Sequence, residues 1–505
     1  MPVEPQRVHI ELQRVQTWLF AAPRLRAMVG ANTLLGETLR IALPALARES
    51  GRGWTAAPSM EVCPGADEDD PLKAYDDPAV DAKAGILARD GGHFEAWFST
   101  GADAFADEAR RLLRTGLPGL RFRITVGMLE RSRTQTHVST ELPVLAPCEW
   151  TGRGLASDIV EQGDDRPAVS LDVALRHAAA RRAEDGPATD VASLLRTTTK
   201  LAALPRPQEL EELVGDGYLA LIHADGNGVG AGSGADKTDG ERAAFFHRNR
   251  VLLRRAVQKA IDAHCPDEGK APLVLLMLGG DDLLLVCRAE IALPFVVTLC
   301  DALASFQENA NGFALTLGVG VVIAKHTIPI HRLHDVAEQL AGSAKRRVRG
   351  LLDADKPACS VVDWAVYSTA WVDDPEDVRR RDWVRGTGAE RRVLSQRPVD
   401  VLGQGLDTLQ GLVGRAAQLE CAPRSQLRYL VDQLARGRAL SELAFAELSS
   451  EARKALEKAG VDTPWPPAQG GPRRTALLDL VEILEIARLG QHSNVARTEE
   501  KPAHG

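Results

Sequence analysis

The sequence predicts an α+β protein in which one β-α-β-β-α-β unit occurs twice, ahead of a helical bundle. Two Gly-Gly turns, Gly91-Gly92 and Gly279-Gly280, each join short apolar runs as a hairpin does. Strand-like and helix-like stretches follow in the same order around both turns, and leucines recur at helical spacing beyond Val401. The 505 residues suffice for about three folded units at roughly 150 residues each. Apolar residues at 44% and charged residues at 26% are globular proportions, which exclude a mainly disordered chain. A net charge of 61 − 69 = −8 repels phosphate overall, so a histone-like binder is excluded and nucleic-acid contact needs local basic patches.

The first unit reads as a strand at Val8–Leu12, a long helix to about Arg48, and a hairpin at Gly91-Gly92-His93-Phe94. A helix near Ala104–Arg114 and a strand at Leu120–Leu129 complete it. Inside it, Pro64–Lys83 carries an acidic run and three prolines and reads as a solvated surface insertion. Thr136–Gly215 is low in clear periodicity. In the second unit Tyr218–Ala224 is a strand, a glycine-rich loop follows, and Glu241–His264 is a helix. Leu273–Leu278 and Leu283–Cys287 are strands around the turn Gly279-Gly280-Asp281-Asp282. A helix at Glu290–Glu308, a strand at Phe313–Ala324 and a helix at His331–Arg347 close a ferredoxin-like core with one extra helix.

An Arg-rich connector (Arg379, Arg380, Arg381, Arg385, Arg391, Arg392) leads to Val401–Leu489, whose Leu427, Leu430, Val431, Leu434 and Leu477, Leu480, Val481, Leu484 have helical spacing. The polar tail after Gly490 is expected to be disordered. Seven cysteines without a C-x-x-C pair fit reduced thiols in the cytoplasm, and a zinc site is not expected. The start MPVEPQRVHIELQ is not a secretory signal, and Ile291–Cys300 is about half the length of a bilayer span, so no membrane association is expected.

The chemistry concentrates in the second unit. Asp225 ends an apolar strand, and Asp281 and Asp282 sit at the tip of a hairpin whose strands pair beside it in this topology. Three convergent carboxylates repel one another unless a hard divalent cation lies between them, so two Mg²⁺ or Mn²⁺ ions are the expected occupants. Two such ions on shared carboxylates serve nucleotidyl transfer. The loop Gly226-Asn227-Gly228, continuing through Gly230, Gly232 and Gly234, offers backbone N–H groups to a triphosphate, but its glycines do not follow the dinucleotide fingerprint. Lys345, Arg346, Arg347 and Arg349 place positive charge near the same phosphates. With Gly279 and Gly280 of the turn, Lys345 and Arg349 complete the nucleotide-binding set. Each piece alone has a plainer reading: Gly-Gly-Asp-Asp as a turn, Asp225 as a cap, Lys345–Arg349 as a solvated helix face. His334-Asp335 lies inside a helix without further histidines and reads as surface.

These residues resemble the large polymerase/cyclase subunit of type III CRISPR effector complexes, a relative of the GGDEF nucleotide cyclases. Tyr218–Gly230 (YLALIHADGNGVG) is similar to the first strand and loop of that family's palm, and Leu278–Leu283 (LGGDDL) to its signature hairpin. Gly318–Pro329 (GVGVVIAKHTIP) and Ala337–Lys345 (AEQLAGSAK) resemble its last strand and helix. Val8–Glu37 resembles the opening of a first palm, and Ala422–Leu434 (APRSQLRYLVDQL) the C-terminal helical domain. Cys148-Glu149-Trp150-Thr151-Gly152 resembles half of a zinc ribbon with its second cysteine replaced by Thr151.

The resemblance implies a degenerate first palm at 1–135, a linker region with the ribbon-like segment at 136–215, and a catalytic palm at 216–368. It further implies the connector at 369–400, the helical domain at 401–490 and the tail at 491–505. Because the first palm starts almost at Met1 and carries Gly91-Gly92-His93-Phe94, the HD nuclease is expected to be missing and the first palm to be inactive. The resemblance implies cyclic oligoadenylate synthesis from ATP, with Asp225, Asp281 and Asp282 as metal ligands, in a complex with guide RNA, target RNA and other effector subunits. Two other readings remain: a scaffold holding RNA and subunits with an idle carboxylate site, and a stand-alone GGDEF-like signalling cyclase.

Overall fold

The computed structural model describes residues 5–49, 65–127, 129–133, 146–162, 165–215, 217–232, 237–308, 313–367, 374–467 and 471–498. Two compact units result: one takes in residues to Glu212 together with Gly228–Leu285, the other Leu213–Asn227 together with everything from Val286.

The first unit opens with β1 (Gln6–Gln13), α1 (Leu25–Gly36) and α2 (Leu43–Arg48), then β2 (Ile86–Ala88), β3 (His93–Phe98), α3 (Ala102–Gly116), β4 (Arg121–Val126) and β5 (Leu129–Arg133). The strands lie in the order β2-β3-β1-β4-β5, with β1 antiparallel to both β3 and β4. Period-two alternation sends Val8, Ile10, Leu12, Phe94, Ala96, Phe98, Phe122, Ile124 and Val126 to one buried face. The apolar stripe of α3 seals that face, with Phe105 against Phe94 and Phe98 at ring-centroid distances of 5.8 and 4.7 Å. The alternate positions, His9, His93 and Glu95 among them, point to the other side.

The long helix runs in unbroken helical backbone from Leu25 to Arg48, with a wide π turn at Glu37–Ala42 between α1 and α2, where Pro44 in the first turn of α2 has no N–H to donate and its ring crowds the preceding turn. The acidic insertion is solvated at Asp67, Glu68 and Asp69, as expected, but not throughout. Asp70, Leu72 and Asp76 are 3% exposed or less. The two acids are buried because arginines elsewhere in the unit neutralise them, as described below. The stretch of low periodicity contains α4 (Leu171–Asp185), which packs so closely on α1 that a Cβ at Gly30 would lie 1.8 Å from the carbonyl oxygen of Arg176.

Beyond it come β6 (Tyr218–Gly226), α5 (Asp239–His264), β7 (Leu273–Gly279), β8 (Asp282–Arg288), α6 (Ala289–Ser305), β9 (Leu317–Lys325), α7 (Ile330–Leu352), β10 (Val361–Tyr367) and β11 (Val399–Asp400). α5 starts at a reciprocal cap: the Thr238 hydroxyl accepts from the Glu241 N–H at 3.3 Å, while the Glu241 carboxylate accepts from the Thr238 N–H at 2.8 Å. In the first unit, β7 and β8 form the hairpin. In the second unit the order is β11-β10-β9-β6-β8, with β9 antiparallel to β6 and parallel to β10. From Leu317 to Ala324 every residue of β9 is buried, and α7 lies so close that a Cβ at Gly320 would stand 2.0 Å from the Ala337 carbonyl oxygen. The β-α-β-β-α-β order therefore occurs twice, in an α+β fold of two ferredoxin-like palms.

The remainder of the second unit is helical, as its leucine spacing predicts: α8 (Leu409–Ala416), α9 (Arg424–Arg436), α10 (Arg438–Ala446), α11 (Ser450–Lys458) and α12 (Leu477–Thr498). α12 continues past Gly490, where the tail was expected to lose order, because each added residue of an anchored helix gains a backbone hydrogen bond. Residues 499–505 lie outside the described residues. Among the described residues no helix is long and apolar enough to cross a membrane.

Candidate active site

In the second unit, Asp225 is the penultimate residue of β6 and stands opposite Gly318 of β9. Lys345, reaching down from α7, forms an ion pair with Asp225 Oδ2. The lysine fits because residue 318 has no side chain: a Cβ there would lie 2.6 Å from Lys345 Cγ and 3.2 Å from Asn227 Oδ1. Asn227 is 9% exposed and is fixed by Thr316, its backbone N–H donating to the Thr316 carbonyl at 2.8 Å and its amide to the hydroxyl at 3.0 Å. Its buried Oδ1 has no hydrogen-bond partner among the described residues, an acceptor aimed at nothing the chain supplies.

Two residues before Asp225, His223 lies on the same face of β6, 5.9 Å centroid to centroid from His334 of α7. The surface reading of His334 is wrong: it is 4% exposed, because its position on α7 falls within the stripe that packs on the sheet. Burial, with His223 adding to it, pushes His334 down to about 3, and burial likewise lowers His223, so both rings are neutral near pH 7.

In the first unit, β7 and β8 meet at the turn Gly280-Asp281, where Gly280 takes φ +63°, a conformation that glycine adopts without strain. Asp281 and Asp282 are partly buried in the wall of a cavity of about 420 Å³. Gly91 of the other hairpin, at φ +61°, comes so close that a Cβ at Gly279 would stand 3.1 Å from its Cα. Gly279 thus permits backbone-to-backbone contact between the two hairpin tips. The far wall of the cavity holds His9 and His93, whose ring nitrogens are 3.2 Å apart. Burial lowers the pKa of His9 against the pull of Glu95.

Asp225 and Lys345, both named from the sequence, are brought together as an ion pair. Of the remaining basic residues of α7, Arg346 is taken by Glu376, Arg347 is held by Asp400 at 2.8 Å, and Arg349 is exposed near the helix end. Gly226 is buried in β6, Gly228 is exposed at φ +69°, and Gly234 lies outside the described residues. In the Arg-rich connector, Arg379, Arg380 and Arg381 pair with Asp363, Asp377 and Asp382. Cys148 is buried in an apolar cluster with Ala22, Ala27, Val169 and Val173, while the Thr151 hydroxyl closes a local turn on Arg153. Sequence reading missed His9, His93 and the arginines of α5. The spacing Arg242, Phe246, Arg250 was the available signal, since four-residue steps share a helix face.

Asp225 and the Asn227 amide oxygen in the second unit, and Asp281 and Asp282 in the first, are each hard oxygen donors of the kind that Mg²⁺ or Mn²⁺ takes. Among the described residues no three His, Cys, Asp or Glu side chains form a ready-made metal cage, and Asp225 is held by the Lys345 ammonium. The donor types suit such an ion, and at Asp225 the Lys345 ammonium supplies the counter-charge.

Residues 218–351 match the family model described as Cas10/Cmr2, second palm domain. Among solved structures the chain is similar to Csm1 in T. onnurineus, at 13% identity over 96% of this chain and 69% of that one with a TM-score of 0.48. It is also similar to an apo Csm1-Csm4 cassette (12% identity, 96% and 70% coverage, TM-score 0.45) and to that cassette in complex with cA4 (11%, 96% and 70%, TM-score 0.44). No curated protein matches the chain.

Proposed function

We propose that the chain is a nucleotidyl cyclase/polymerase that makes cyclic oligoadenylates from ATP as a subunit of a type III RNA-guided complex. The observation that carries this reading is the intact Gly-Gly-Asp-Asp turn in the wall of a cavity large enough for nucleotide, in a segment that matches the Cas10/Cmr2 second palm. On this reading Asp225, Asp281 and Asp282 would together hold two Mg²⁺ or Mn²⁺ ions. Bound there, such ions activate a 3′-hydroxyl and neutralise the leaving pyrophosphate. Lys345 then moves from Asp225 to a substrate phosphate, trading one anionic partner for another. The Gly226–Gly228 loop keeps the backbone N–H groups near the phosphates, with Arg349 further along α7.

The test is mass spectrometry of products from ATP with Mg²⁺ or Mn²⁺, first with the purified chain and then with partner subunits, guide RNA and complementary RNA added. Oligoadenylates from the wild type, and none from the Asp281→Asn, Asp282→Asn double variant with an unchanged melting temperature, are expected. Full activity in that variant would refute the site, and no product in either setting would favour the scaffold.

A further inference from the structure

α5 presents Arg242, Phe246 and Arg250 to the cavity at steps of four residues, and Phe246 is 42% exposed there. One turn further on, Arg254 is 2% exposed and heads a buried ionic network. It meets Asp70 at 3.0 Å, Asp76 at 2.7 Å and Asp90 at 3.2 Å. Arg40 meets Asp90 at 3.1 Å and Asp76 at 3.7 Å and donates to the Tyr75 carbonyl at 3.0 Å. Arg89 meets Asp81 at 2.7 Å and Asp76 at 3.7 Å and donates to the same carbonyl at 3.1 Å. Burial alone would raise Asp76, but the charges of Arg250, Arg254, Arg40 and Arg89 outweigh it and hold the carboxyl well below its usual range. Asp70 and Asp76 both belong to the insertion.

Three of the four guanidiniums are therefore saturated by two or more acids. Arg250 is different. Its nearest carboxylate, Asp90, is 3.9 Å away; its Nη2 lies 3.4 Å from His247 Nδ1; and its buried Nε has no hydrogen-bond partner among the described residues. A guanidinium with donors to spare, 15% exposed and lining the cavity that holds Asp281 and Asp282, is the geometry of a bidentate phosphate ligand. We propose that Arg250 binds the triphosphate of a nucleotide in this cavity, and that Asp70 and Asp76 are positioning residues that hold α5 in place for it. Phe246, one turn back, offers its ring to the base. The assignment rests on the reading that the cavity takes nucleotide.

The experiment is equilibrium binding of ATP to the full chain with Ca²⁺ in place of Mg²⁺ to hold turnover off, with adenosine measured by competition. Arg250→Ala is expected to weaken ATP about ten- to a hundredfold and to leave adenosine unchanged, and Arg250→Lys to recover part of the loss. Asp76→Asn is expected to weaken ATP several-fold with adenosine again unchanged. Should that variant unfold, the Arg250 pair decides alone. An Arg250→Ala chain that melts with the wild type and binds ATP equally well overturns the proposal, as does equal weakening of ATP and adenosine. A wild type that binds ATP in this Arg250-dependent way but forms no oligonucleotide would sink the proposed function and leave this assignment standing.

Discussion

Replacing Asp225 by Asn separates what this residue contributes to folding from what it contributes to chemistry. Its side chain is 33% exposed and that of Lys345 30%, so the ion pair is largely screened by water. Such pairs contribute about 0.2–1 kcal/mol, and for a domain of this size 1 kcal/mol moves the melting temperature by about 2–4 °C. Asp225→Asn keeps the shape of the side chain and one acceptor oxygen, so the loss is expected at the low end, within about 3 °C. The catalytic cost is of another order. Removing one of three anionic ligands from a divalent-cation site forfeits several kcal/mol of transition-state stabilisation, and each 1.36 kcal/mol is tenfold in rate. Product formation from ATP is expected to fall at least a hundredfold. Scanning calorimetry and quantitative chromatography of products on the same preparation read both effects. A variant that retains a tenth of the rate, or melts more than about 8 °C below the wild type, would show Asp225 to be a structural residue.

Gly320→Ala drives a methyl group into the Ala337 carbonyl at 2.0 Å and is expected to cost about 1–3 kcal/mol or more by chemical denaturation, whereas Gly350→Ala, with open space around it, is near neutral. Arg254→Met leaves Asp70, Asp76 and Asp90 facing one another without their main counter-ion, and a loss of about 3–5 kcal/mol is expected in the same assay; a loss under 1 kcal/mol would mean the network relaxes freely. His334 titrates near 3 when folded and at 6.5 when unfolded, so the unfolded chain takes up the proton first as pH falls. Stability that is full above pH 6.5 is then lost toward pH 3, at up to about 1.4 kcal/mol per unit, and His334→Gln is expected to flatten the slope of melting temperature between pH 7 and pH 5. An unchanged slope in that variant would exclude the ring as its source.

Both palms were legible because their signals are local. Alternation along Val8–Leu12, the uninterrupted apolar run of β9 and the Gly-Gly turns each declare themselves within ten residues. The acids were legible for the same reason: an aspartate at the end of an apolar strand, or at a hairpin tip, has few places to be. What escaped depends on partners remote in sequence. Asp70 and Asp76 look solvated until Arg254, 184 residues beyond Asp70, is known to neutralise them. Arg346 and Arg347 look like phosphate ligands until Glu376 and Asp400 capture them. His334 reads as surface because a polar residue on an amphipathic helix reveals its side only once the facing strand is known. The π turn before α2 had its signal in Pro44, but a proline in a leucine- and alanine-rich stretch also fits the first turn of a regular helix.

The touch between Gly91 and Gly279 gives the first palm a mechanical duty. A tip abutted at its own backbone cannot swing as a flap, so the bearing of Asp281 is set by the loop that follows Arg89. Lengthening that loop by a single residue would shove the acids aside without altering any group that does chemistry. A lobe stripped of its carboxylates can thus remain indispensable as an anvil.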